Sequence, residues 1–289
     1  MIFTDICRLM LLSLKKFKMK ITSFIATLAC PFLFSMCGSS VADVKSDVQI
    51  DSVRDTTKQA AQSKTFSPPL QISFASEDGI AITADSYVNS DSLPWILLCH
   101  QAGYSRGEYR ETAPLFRELG FNCLAIDQRS GKEVNGVKNE TAERASAAGK
   151  STDYLDAEQD IRAAVNYLYE YSKKLVIIVG SSYSCGLALK IANGNPLVKA
   201  VLAFSPGEYY GKKFDLTQSV STLNIPVFFT CAKSEVTDAE KIFNAIPAKK
   251  KLFYEPTVEG IHGSKCLWAA NEGHEQYWSA VKEFLAGIQ

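Results

Sequence analysis

The chain has 289 residues, of which 46% are apolar and 21% charged, a balance that supplies a sizeable core and excludes a disordered or fibrous chain. Its 31 basic and 31 acidic residues cancel, so no global basic field draws it to nucleic acid. Eight cysteines include no C-x-x-C pair, which leaves neither a zinc nor a disulfide signature.

The first forty residues follow a different rule from the rest. Lys15, Lys16, Lys18 and Lys20 precede a mostly apolar run from Ile21 to Met36. A charged segment followed by a short apolar one reads as an export signal over residues 1–36. Met19-Lys20 reads as a natural start, with residues 1–18 as an upstream extension. The apolar run is too short and interrupted for a membrane span. Cys37 follows Leu33-Phe34-Ser35-Met36 and precedes Gly38-Ser39-Ser40, which resembles a bacterial lipoprotein cleavage site with Cys37 as the lipidated residue. Cleavage after Ser40-Val41-Ala42 is the alternative, and gives a soluble periplasmic or secreted protein. Residues 37–69 are rich in Asp, Ser, Thr, Lys and Gln and read as a flexible tether.

From Leu70 the pattern becomes that of a folded domain. Leu70–Ala75 and Ile80–Tyr87 alternate around Ser76-Glu77-Asp78-Gly79, which predicts an antiparallel hairpin. Apolar strands are expected near 95–100, 122–127, 175–179, 198–204, 226–232 and 250–254. Helices are expected near 107–119, 153–171, 183–193, 237–246 and 273–286. Ala157, Ile161, Ala164, Val165 and Leu168 make the clearest one-face stripe. This alternation predicts an α/β fold with a mostly parallel central sheet, helices on both faces and no large lid. Residues 128–151 and 205–224 read as long loops. Tyr183, Tyr209, Tyr210 and Trp268 are candidate walls of an open site, with plain packing the equal alternative for each. Cys99, Cys123 and Cys231 read as core residues, Cys185 as packing, and Cys266 as free to pair.

The chemistry concentrates after strand ends. Val176-Ile177-Ile178-Val179-Gly180-Ser181-Ser182 is an apolar strand running into a tight turn and a helix, the order a nucleophile elbow requires. Gly180 leaves room for the turn, and Ser184 stands where a second glycine is usual. A downstream histidine must follow, which excludes His100. His262 lies in a glycine-flanked loop, whereas His274 opens the last helix, so His262 is the expected base. Glu235 follows the strand at 226–232 and is the expected acid, with Asp238 as fallback and, with Thr237, as the alternative helix cap. The N–H groups of Ala102 and Tyr183 are the expected oxyanion donors. His100 reads as a brace for the loop carrying Ala102.

Four segments together resemble an α/β-hydrolase, and within that superfamily the small dienelactone hydrolase-like group. They are His100-Gln101-Ala102-Gly103, Ala125-Ile126-Asp127-Gln128-Arg129-Ser130-Gly131, the Gly180–Ser184 elbow and Gly260-Ile261-His262-Gly263. The resemblance covers residues 70–289. Gln101 replaces the usual glycine. Serine in the elbow, where dienelactone hydrolases proper carry cysteine, implies a serine esterase acting on small or surface-displayed esters. A non-catalytic envelope lipoprotein that keeps the fold is the alternative. With no phosphate loop and no metal-ligand spacing, no cofactor is expected. Membrane contact is expected through a lipid on Cys37.

Overall fold

A computed structural model describes residues 67–288. The export signal, Cys37 and the tether up to residue 66 lie outside the described residues.

The hairpin forms as expected, with β1 (Leu70–Ala75) antiparallel to β2 (Ala81–Tyr87). β3 (Trp95–Cys99) and β4 (Asn122–Ile126) follow, separated by a 3-10 turn at Arg106–Tyr109 and helix α1 (Thr112–Glu118). The helix expected near 107–119 is thus divided in two. Pro114 explains the break: it has no N–H for residue 110, so it fits only the first turn of a helix starting near Thr112.

Between β4 and the next long helix the expected loop is ordered. A two-residue hairpin pairs β5 (Glu133–Val134) with β6 (Val137–Lys138), and α2 (Glu140–Ala147) follows, capped by the Asn139 side chain. Asn135 and Gly136 take the two positive φ angles of that turn, 53° and 71°. Asn-Gly is the favoured pair for such a turn. Then come α3 (Glu158–Ser172), β7 (Val176–Ser181), α4 (Tyr183–Ala192) and β8 (Val198–Phe204). The second long loop holds only the short α5 (Leu216–Ser219) and one 3-10 turn. The chain closes with β9 (Val227–Thr230), α6 (Val236–Ala245), β10 (Lys251–Tyr254) and α7 (His274–Ala286).

The sheet order is β1-β2-β4-β3-β7-β8-β9-β10, with every pair from β4 to β10 parallel. Parallel strands covered on both faces must be apolar throughout, and β3 and β7 are fully buried. Their residues alternate between two cores. Leu97, Cys99 and Ile178 join Ile161, Val165 and Leu187 on one face. Ile96, Leu98 and Val179 join Phe116, Val281 and Phe284 on the other. Burying each such aliphatic or aromatic side chain contributes about 1.5–3 kcal/mol.

Cys99, Cys123, Cys185, Cys231 and Cys266 are buried and unpaired. The pairing considered for Cys266 therefore has no partner among the described residues. Burial pushes the Cys185 thiol well above its ordinary range, which suits packing and not reactivity. No helix among the described residues is long and apolar enough to cross a membrane.

The chain leaves β3 toward β4 on one side and returns to β7 on the other. The carboxyl ends of β3 and β7 thus form the switch point where open α/β sheets place their ligands.

Candidate active site

Ser182 stands at that switch point, between β7 and α4, with φ 57° and ψ −124°. A non-glycine residue there costs on the order of 1–3 kcal/mol, so its surroundings must hold it. Its N–H donates to the Phe204 carbonyl at 2.8 Å and its carbonyl accepts from the Cys185 N–H at 2.9 Å. A methyl group on Gly180 would fall 2.7 Å from Cys185 Cα, so only glycine lets α4 pack this close. Ser184 takes the second glycine position without strain. Its hydroxyl lies against the carbonyls of Ser181, Cys99 and His100 and accepts from Gln128 Nε2 at 3.2 Å. It ties the elbow helix to the end of β3.

His262 arrives from the loop after β10. Its Nε2 lies 2.8 Å from Ser182 Oγ, and its Nδ1 is hydrogen-bonded to Glu235 Oε1. Glu235 ends a 3-10 turn just after β9. Its other oxygen accepts from Ser205 Oγ at 2.6 Å and the Ala232 N–H at 3.0 Å. Burial pushes the Glu235 carboxyl up, but the bonds from His262, Ser205 and Ala232 outweigh it and hold the group below its ordinary value. The Lys233 N–H donates to the Glu259 carbonyl at 2.8 Å, which joins the acid loop to the base loop.

The other expected residues fall elsewhere. Asp238 is exposed on α6 and pairs with Lys241 at 2.7 Å, so the structure brings Glu235 and not the fallback to His262. Neither Thr237 nor Asp238 caps α6, which starts at Val236. His274 opens α7 with Nδ1 3.0 Å from the Asn271 carbonyl. His100 is fully buried, with Nδ1 at 2.8 Å from the Gln101 carbonyl and Nε2 accepting from the Gln128 N–H at 3.0 Å. Burial lowers its pKa to about 4, so it stays neutral and braces the loop.

Ala102 lies in the turn closed by the Tyr104 N–H on the Gln101 carbonyl, with Gly103 at φ 75°. Gln101 itself has no positive φ, so this backbone does not need the usual glycine there. Tyr183 is the first residue of α4, where a helix leaves its N–H without an intrahelical acceptor.

Of the expected walls, the Tyr183 and Tyr210 rings are buried instead. Exposed Tyr154 stacks on Tyr183 at 4.6 Å, and half-buried Tyr209 stands edge-on to His262 with centroids 6.3 Å apart. Two open grooves of about 460 Å³ each meet at Tyr209. One runs past Tyr154 and Leu155, the other past Pro206 and Glu235.

Sequence reasoning missed Ser205. At φ 60° it follows β8 as Ser182 follows β7. Its hydroxyl donates to Glu235 and accepts the Gly263 N–H at 2.8 Å, so it bridges acid and base loops. A serine directly after a buried strand was the available signal. Among the described residues no group of three metal-ligating side chains forms.

No protein-family model matches the sequence, and no curated protein does. Solved structures do. An esterase from Pyrococcus furiosus superposes with a TM-score of 0.60 at 15% identity, over 78% of this chain and 92% of that one. A dienelactone hydrolase from Anabaena variabilis gives 0.59 at 16% identity, over 77% and 99%. An acylaminoacyl peptidase from Pyrococcus horikoshii gives 0.59 at 13% identity, over 78% of this chain and 42% of that one. The described residues therefore have the α/β-hydrolase fold, with no large separate lid domain among them.

Proposed function

We propose that the protein is a serine-dependent hydrolase of carboxylic esters. The hydrogen-bonded series Ser182–His262–Glu235 carries this reading. In it Ser182 Oγ attacks the ester carbonyl while His262 Nε2 takes its proton. Collapse of the tetrahedral intermediate expels the alkoxide, which leaves as the alcohol with the proton from His262. Water, deprotonated by the same nitrogen, then cleaves the acyl-serine and releases the acid. Glu235 keeps the Nδ1 proton in place and offsets the charge His262 gains. The Ala102 and Tyr183 N–H groups receive the oxyanion.

The low-identity neighbours that are an esterase and a dienelactone hydrolase support an ester substrate, and the acylaminoacyl peptidase makes an amide panel worthwhile. The test is labelling by a fluorophosphonate probe with peptide mapping. An adduct on Ser182, with hydrolysis of short p-nitrophenyl esters reduced at least about 10⁴-fold in Ser182→Ala, is the expected result. Ser182→Ala turning over as fast as the parent ends the proposal. A folded protein that takes no label returns the weight to a binding role.

We also propose, on sequence alone, that the protein is exported and anchored by a lipid on Cys37. Cys37→Ser should then move from the membrane to the soluble fraction. Unchanged fractionation favours the soluble periplasmic or secreted form.

A further inference from the structure

A second carboxylate lies beneath the site and takes no part in the proton transfers above. Glu108, in the 3-10 turn after the β3 loop, is fully buried. Its Oε2 accepts the Gln101 N–H at 2.7 Å. Its Oε1 accepts the hydroxyls of Ser181 at 2.7 Å and Ser264 at 2.6 Å. Ser181 Oγ in turn accepts the Ser264 N–H at 2.8 Å, and the Glu108 carbonyl accepts Trp268 Nε1 at 3.0 Å.

The identity of the three donors is what matters. Gln101 immediately precedes Ala102, Ser181 immediately precedes Ser182, and Ser264 is two residues past His262. One side chain thus fixes the loop of the oxyanion donor, the residue before the nucleophile and the loop of the base. These segments come from three distant parts of the chain, and Glu108 is hydrogen-bonded to all three. Burial pushes the Glu108 carboxyl up, while the Ser264 hydroxyl, the Gln101 N–H and the Ser181 hydroxyl, which donate to it, favour its ionised form.

Stability does not account for a carboxylate here. Lys265 acts on it through space and not by contact. Burying such a charge is costly, and apolar packing of similar volume often serves a fold as well or better. The buried Asp160 shows the contrast, since it is neutralised directly by Arg129 at 2.7 Å.

We infer that Glu108 is a positioning residue, which locks the nucleophile, base and oxyanion loops into one register through Ser181, Ser264 and Gln101. The inference rests on the ester-hydrolase reading above. Displacing catalytic groups by about 1 Å costs on the order of 10²-fold in rate. Transition-state alignment acts on kcat while ground-state binding sets KM.

The experiment compares the full-length parent with Glu108→Gln and Ser264→Ala. It measures kcat and KM on a short p-nitrophenyl ester, the fluorophosphonate labelling rate and the melting temperature. Glu108→Gln keeps the shape but cannot accept both serine protons and the Gln101 N–H. It should lose about 10- to 100-fold in kcat and in labelling rate, with KM within about twofold. A folded Glu108→Gln that labels and turns over like the parent overturns the inference and leaves the hydrolase reading standing. A lower melting temperature with unchanged kcat does the same. A parent that takes no label ends the hydrolase reading and this inference with it. Should Glu108→Gln fail to fold, Ser264→Ala decides. It removes one donor and should lose about 3- to 10-fold in kcat at constant KM. Parent-like kcat there overturns the inference.

Discussion

The two ends of the central sheet use the same backbone freedom for different purposes. At the amino end of the parallel strands, positive φ angles occur at Gly120, Lys173 and Gly194. Each lies at or just past the carboxyl end of α1, α3 or α4, where a left-handed residue ends a helix. At the carboxyl end, Ser182 and Ser205 take φ angles of 57° and 60° directly after β7 and β8. Neither ends a helix. Each instead aims a hydroxyl at the His262–Glu235 pair. The surroundings differ accordingly. The amino end carries a shallow groove lined by Leu93, Pro94, Leu119 and Leu175. The carboxyl end buries His100, Glu108, Gln128 and Ser184. Strain that aims a side chain needs a dense polar frame to hold it, whereas strain that ends a helix needs none.

Substitutions at the carboxyl end should therefore change rate, and those at the amino end only stability. The largest effect after loss of the nucleophile belongs to the acid. Glu235→Gln replaces the acceptor of the His262 Nδ1 proton and should lower kcat by about 10³- to 10⁴-fold. Asp238→Asn, on the exposed Lys241 pair, should leave it unchanged. Steady-state kinetics of the two variants checks this, and the opposite ranking would move the acid to Asp238.

Gly263→Ala should come next. Its methyl would fall 2.3 Å from Gln101 Oε1 and 2.7 Å from Ser181 Oγ, at a φ of 78°. Strain of this kind costs about 1–3 kcal/mol, and the displaced loop carries His262. The expected result is a lower denaturation midpoint together with about a 10- to 100-fold fall in kcat. Ser205→Ala should be milder. It removes one of Glu235's acceptor bonds and the tie to the Gly263 N–H, while His262 keeps its partner. About a 10-fold loss in kcat at constant KM is expected. An unchanged rate would reduce Ser205 to a structural corner.

How legible this was in the sequence follows from range. The strands were readable because a buried parallel strand must be apolar along its length, as in Val176-Ile177-Ile178-Val179. The elbow was readable because its turn, glycine and serine are local. Chain order then pointed to His262 and Glu235. The hairpin and α2 were hidden by their charges, although Asn135-Gly136 and Asn139 were local signals of a turn and a cap. Glu108 had no local signal at all, and Ser205 had only its place directly after a buried strand. Their meaning lies in contacts across 156 and 58 residues of chain, which no local pattern encodes. For Tyr183 the packing alternative holds: its ring stacks under Tyr154 and its hydroxyl accepts from Gln128 Nε2 at 2.9 Å, contacts across the chain that decide between wall and core.

The smallest prediction tests the comparison most directly, because one type of substitution can be made at both ends. Lys173 ends α3 at φ 55°, and its side chain is exposed beside Glu170. An exposed pair of this kind contributes little. Lys173→Gly relieves a left-handed cost of about 1–2 kcal/mol and returns part of it as entropy of the unfolded chain. A net gain of about 0.5 kcal/mol should raise the melting temperature by about 1–2 °C, with kcat unchanged. Ser182→Gly relieves the cost of a positive φ at ψ −124°, outside the left-handed helical region of Lys173, and should also not destabilise the fold, yet it should abolish turnover. If Lys173→Gly altered kcat, or if Ser182→Gly melted well below the parent, strain at the amino end would not be purely structural, nor strain at the carboxyl end purely functional.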